Sequence, residues 1–118
     1  MKEPIVTETT NNQNPKQIGG GRRTLGDFSP KLAALTDDVL FDDVWNRPEL
    51  SPRDRSLITV AVLAAGGDYD QLAFHLGHAV KNGVTKDELI EALTHVAFYA
   101  GWPKGMGSMN VAKRVFTE

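Results

Sequence analysis

Three histidines and no cysteine bound the chemistry open to this 118-residue chain. His75 and His78 stand three apart in "QLAFHLGHAVKNGVT", and His95 stands four before Tyr99. Imidazole has the ordinary pKa closest to neutral pH, so a histidine at the edge of a cleft can give or take a proton. A neighbouring hydroxyl or second imidazole can donate to charge that develops in a transition state. Arg53 and Arg55 flank Asp54, and their guanidinium forks suit a carboxylate. Trp102 lies in "YAGWPKGMGSMN", where aromatics, a lysine and three glycines could line a pocket. Each feature also has a plainer reading. The histidines could be half-buried residues bonded to carbonyls, the arginines a solvated first turn, and the glycine-rich stretch a tight packing turn. Histidines at i, i+3 can ligate a metal, but no third ligand stands at a convincing spacing, so no metal site is expected. No serine sits on a recognisable nucleophile elbow.

These residues need helices to place them. Ser29-Pro30 reads as an N-cap and first turn, with Leu32, Leu35, Val39, Leu40 and Val44 following at helical intervals. Ser51, Pro52 and Asp54 open a nearly all-apolar helix through Ala65, expected to be buried on most sides and broken at Gly66-Gly67. Asp68 is a candidate cap for a helix over about 69–82, stopped by Gly83. Thr85-Lys86-Asp87-Glu88 is a capping box that opens a helix ending at Gly101. A last helix restarts at Pro103 with Met106, Met109, Ala112, Val115 and Phe116. No stretch alternates with period two, so the class is all-α. At about 100° per residue, His75 borders the stripe Leu72, Leu76, Ala79 and Val80, and His78 lies one step further round. His95 and Tyr99 border the stripe Leu89, Leu93, Val96 and Ala100.

Residues 1–28 are polar and cannot bury enough apolar surface to fold alone. They read as a flexible arm before a helical domain over 29–118, or as a segment that orders on a neighbouring subunit. The net charge of −2 gives no global electrostatic case for nucleic acid or an anionic membrane. No apolar run is long enough to span a bilayer, and the N-terminus lacks the apolar centre of a signal peptide, so a cytoplasmic protein is expected. Absence of cysteine removes disulfides, thiolate metal sites and thiol catalysis.

Three segments, "WNRPELSPRDRSLITVAVLAAGG", "LAFHLGHAVKNGVTKDELIEALTHVAFYAGWP" and "MNVAKRVF", resemble the carboxymuconolactone decarboxylase family over about residues 40–116. Redox members of that family, the alkylhydroperoxidase D-like proteins, carry a C-x-x-C pair four residues before a histidine. Matching that histidine to His75 puts the pair at Asp68 and Gln71, so dithiol peroxidase chemistry is excluded. The resemblance implies an all-helical bundle of the alkylhydroperoxidase D-like type, homo-trimers or homo-hexamers, and a decarboxylase that needs no metal or organic cofactor. It implies histidine at His75 and His95, while His78 is less characteristic of the family.

The expected activity is loss of CO₂ from a small carboxylated lactone or related acid. Arg53 or Arg55 would anchor a carboxylate, with His78 and Trp102 at the substrate, His75 as principal acid/base, and His95 and Tyr99 as supporting donors. Two other readings stay open: a cofactor-free isomerase or lactone-processing enzyme, and a non-catalytic oligomeric binding protein on the same scaffold.

Overall fold

Helices begin after Ser29, Asp68 and Thr85 as expected, but the Ser29 and Asp68 side chains make no cap hydrogen bond. A computed structural model describes residues 15–117, which are mostly helical and contain no strand. Helix α1 (Gly21–Leu25) precedes α2 (Pro30–Ala34), which runs on through wide π-type turns over Leu35–Phe41, and a 3₁₀ turn follows over Val44–Asn46. Then come α3 (Pro52–Gly66), α4 (Tyr69–Lys81), α5 (Lys86–Ala100) and α6 (Trp102–Thr117). None of the described helices is long and apolar enough to cross a membrane. The chain divides into an N-terminal unit through Pro52 and a C-terminal unit from Arg53.

Residues 1–14 of the expected arm lie outside the described residues. From Gln17 onward the polar segment is ordered by side-chain-to-backbone bonds instead of apolar burial. The Gln17 N–H donates to Asn46 Oδ1 at 2.7 Å, and the buried Gln17 amide donates to the Pro15 carbonyl at 3.0 Å. Asp37 accepts the N–H groups of Gly21 at 2.7 Å and Arg22 at 3.0 Å. The Arg22 guanidinium then forks onto Asp38 at 3.0 and 2.7 Å. The acidic pair that marks the middle of this region thus recruits the chain before it. Phe41 and Trp45 stack 5.8 Å apart at 12° within the same unit.

The C-terminal unit is built from α3 to α6. Leu72 and Leu76 of α4, Leu89 and Leu93 of α5, and Val60 of α3 are fully buried, following the leucine and valine stripes. The capping box forms as the sequence predicts. The Glu88 N–H donates to Thr85 Oγ1 at 3.0 Å, and the Thr85 N–H donates to Glu88 Oε1 at 2.9 Å. Gly101 ends α5 at φ 107°, where an L side chain would be strained.

Three stripes differ from expectation, and on α4 the difference is one residue, Val80, which is exposed. Helix α3 buries only one line, Ser56, Val60 and Ala64, while Ile58 and Val62 are more than half exposed, Val62 at 62%. An all-apolar composition does not choose a face, so packing inside the chain covers one side and leaves the other. On α6 the buried residues are Gly105, Ser108, Val111 and Ala112, and Met106 is exposed. Small residues make that face because α5 comes close: a Cβ on Gly105 would collide with Ala97 Cβ and lie 2.9 Å from its Cα. Ser108 settles its hydroxyl on the Ala64 carbonyl at 3.5 Å.

Candidate active site

Helix α4 buries Leu72, Leu76 and Ala79, and the next positions round the helix carry His75 and His78 to the border of the core. Both are half-buried. Their rings lie 5.8 Å apart at 90°. Phe74 completes a group of three rings. It stands perpendicular to His75, 5.0 Å away at 87°, and stacks on His78, 5.5 Å away at 17°. Phe74 and His78 are four apart, one turn along the helix, so this contact was legible in the spacing although the sequence reading did not single out Phe74.

Burial disfavours the charged imidazolium. It pulls the His75 pKa from about 6.5 down to about 4, with the neighbouring His78 adding a smaller push in the same direction. Burial also lowers His78, followed by the charge of Lys81. His75 is therefore a neutral imidazole at neutral pH, able to accept a proton or to donate its one ring N–H.

Helix α5 presents a different pair. His95 and Tyr99 are neighbours as their spacing predicts, with ring centroids 4.9 Å apart, but both are exposed, Tyr99 at 84%. The next residues on this surface are Phe98 and Trp102, which meet edge to face at 5.4 Å across the α5–α6 junction and are also exposed. The His95–Tyr99 pair and the His75–His78 pair thus stand in different environments, one exposed and the other half-buried.

The arginines stand at the start of α3. Arg53 donates through Nη2 to Glu88 Oε2, and its Nη1 lies 3.7 Å from Asp54. Glu88 is held below the usual carboxylate range by the Thr85 N–H first and then by Arg53. The predicted carboxylate anchor thus already holds a carboxylate of its own chain. Arg55 is half-buried. Asn82 donates to the buried Ser56 hydroxyl at 3.0 Å. That bond sets the first turn of α3 beside the last turn of α4, the end that carries His78.

No group of three or more His, Asp or Glu side chains among the described residues is placed to hold a metal ion. A cavity of about 340 Å³ lies in the N-terminal unit, lined by residues including Lys16, Arg22, Asp37, Asp38 and Asp42. None of the predicted site residues lines it. Its charges are matched internally, Lys16 to Asp42 at 2.8 Å and Arg22 to Asp38 at 2.7 Å.

Residues 30–114 match the model of the carboxymuconolactone decarboxylase family. A 4-carboxymuconolactone decarboxylase of Acinetobacter baylyi is 39% identical over 103 residues, covering 87% of this chain and 77% of that protein. A nitrosuccinic acid decarboxylase of Metarhizium robertsii is 35% identical over 84 residues, covering 71% of this chain and 59% of that protein. An uncharacterised 15.0 kDa protein of Paracoccus denitrificans is 24% identical over 107 residues, covering 89% of this chain and 80% of that protein. A family match over most of the folded residues, joined to helices that place an imidazole group beside the core, leads to one conclusion: the chain belongs to the carboxymuconolactone decarboxylase family.

Proposed function

We propose that this chain is a cofactor-independent decarboxylase of a small, carboxylated lactone or related acid, with His75 as its principal acid/base. Family membership and two relatives named as decarboxylases support the reaction class. The substrates in those two names share a chemical logic. Each molecule carries a carboxylate on a carbon from which electrons can flow into a sink: the lactone carbonyl through a double bond, or a nitro group. In the reaction the C–C bond to the carboxylate breaks and CO₂ leaves. The electron pair moves into the sink, and a proton is then delivered to carbon.

The observation that carries this reading is His75 itself, a neutral imidazole half-enclosed by two other rings on a core helix. An opposite charge nearby favours the charged form of a titratable group. A bound carboxylate therefore raises the His75 pKa from about 4 toward the working range and arms it as the donor. Arg53 or Arg55 anchors a second carboxylate of the substrate, with His78 and Trp102 at the substrate and His95 and Tyr99 as supporting hydrogen-bond donors. Exposure of Phe98, Tyr99 and Trp102 fits a site completed by a neighbouring subunit in a trimer or hexamer.

The test is CO₂ release from 4-carboxymuconolactone and from nitrosuccinate by chelator-treated protein, with light scattering on the same sample. Decarboxylation of either substrate, lost in His75→Ala, supports the reading. No release above the buffer rate from either, or unchanged kcat in His75→Ala, overturns it. A monomeric mass at micromolar concentration overturns the shared site.

A further inference from the structure

Phe74 is a large apolar side chain on α4 that takes no part in the core. The buried stripe of the helix is Leu72, Leu76 and Ala79, and Phe74 remains 59% exposed. Its ring contacts are instead the two imidazoles. The angles form a pattern. Phe74 and His78 are nearly parallel at 17°, and His75 is perpendicular to both, at 87° and 90°. His75 thus meets two ring surfaces of one orientation, separated from it by 5.0 and 5.8 Å. Stacked and edge-to-face arrangements are the two favoured geometries for aromatic pairs. The outer torsion of histidine is broad and weakly restrained by itself, so a half-buried imidazole needs neighbours to fix its plane.

We propose that Phe74 is a positioning residue for His75. Its ring, braced by stacking on His78, sets the plane of the His75 imidazole and so the direction in which the ring nitrogens meet substrate. This rests on the reading of His75 as the acid/base. The role asks for a flat ring at position 74, since an aliphatic side chain of similar volume covers the imidazole without aligning it. Small errors in the placement of a reacting group are costly in rate, and they leave binding through other groups largely intact.

The experiment compares Phe74→Leu and Phe74→Tyr with the wild-type protein as it assembles in solution. Decarboxylation of whichever probe substrate is turned over, 4-carboxymuconolactone or nitrosuccinate, gives kcat and KM. Proton NMR of the histidine rings, assigned with His75→Gln, reads the geometry independently of activity through NOEs between the His75 and His78 ring protons. The expected result is a kcat lower by roughly 10- to 100-fold in Phe74→Leu, with KM nearly unchanged and recovery in Phe74→Tyr. The pattern of NOEs between the His75 and His78 ring protons should change in Phe74→Leu and be kept in Phe74→Tyr. If the His75–His78 NOE pattern is unchanged in Phe74→Leu, or if Leu and Tyr give equal kcat while His75→Ala is inactive, the positioning role is wrong. If His75→Ala itself retains full activity, the acid/base reading fails, and the NMR comparison still decides whether Phe74 orients the ring. Should Phe74→Leu not fold, the exposed ring is a folding residue and the proposal falls.

Discussion

Helices α4 and α5 begin from the same pattern and end in different environments. Each buries leucines four apart, Leu72 and Leu76 on one, Leu89 and Leu93 on the other, and each sets a histidine on the border of that stripe. On α4 the histidine is half-buried against Phe74 and His78, and burial drives its pKa to about 4. On α5 the histidine is exposed beside a tyrosine that is itself in water. A border position therefore fixes which way a side chain leaves its helix, and the neighbours fix what kind of acid or base it becomes. In the proposed reading α4 carries the proton chemistry, and α5 presents a face that waits for substrate or for another subunit.

The strongest way to break that comparison is to remove one imidazole at a time. His75→Ala should lower kcat by roughly 10²–10⁴-fold, the usual cost of losing a general acid or base. His95→Ala should cost about tenfold or less, as an exposed supporting donor. Steady-state kinetics on one probe substrate measures both, and equal losses would erase the distinction between the two helices.

Next in size is the seat that holds α5. Gly105 faces Ala97 so closely that an added methyl has no room. Gly105→Ala should destabilise the protein by about 1–3 kcal/mol through overpacking, despite the better helix propensity of alanine. Urea denaturation checks this. A variant as stable as wild type would mean that α5 and α6 can separate without cost, and that the α5 surface is less fixed than its packing indicates.

Much of this was legible in the sequence, for reasons that differ by element. The capping box at Thr85 and the stop at Gly101 were readable because local chemistry alone decides them. The stripes of α4 and α5 were readable because leucine repeats four apart. The buried face of α6 was not, since Gly105 and Ser108 enter the core by being small and carry no apolar signal. The faces of α3 were not, since every side of it reads as apolar. At the site, the pairing of His95 with Tyr99 followed from spacing. The enclosure of His75 by Phe74 and the hold of Glu88 on Arg53 are tertiary or rotameric facts. Arg53 and Glu88 are 35 residues apart, beyond any local pattern.

Acid should single out His75 among the smaller effects. Its folded pKa lies near 4, below the ordinary value near 6.5, so the unfolded chain binds the proton more readily. Its contribution to stability is complete above about pH 6.5 and is lost as pH falls toward 4. The imidazole is only half-buried, so solvent screening reduces the effect to about 1 kcal/mol or less. That corresponds to a fall of a few °C in Tm. His75→Gln should flatten the Tm profile across this window, and a profile that keeps its wild-type slope would show that His75 is not held neutral by the fold.

The smallest expected effect separates anchoring from proton transfer. Glu88 uses Oε1 to accept the Thr85 N–H and Oε2 to accept Arg53. Glu88→Gln keeps an oxygen for the capping box but replaces the second acceptor with an amide that cannot accept from a guanidinium. Arg53 Nη2 can then meet a substrate carboxylate without displacing Glu88, while Nη1 stays near Asp54. The pair is open to solvent, so the competition it imposes is weak. KM for an anionic probe should therefore fall by roughly 1.5- to 5-fold, with kcat unchanged because α4 is untouched. Added salt screens the exposed pair and should narrow the difference between variant and wild type. An unchanged KM would remove Arg53 as the anchor and leave Arg55 to fill that role. A fall in kcat instead would mean that the start of α5 reaches the chemistry, and the division of labour between the two helices would not hold.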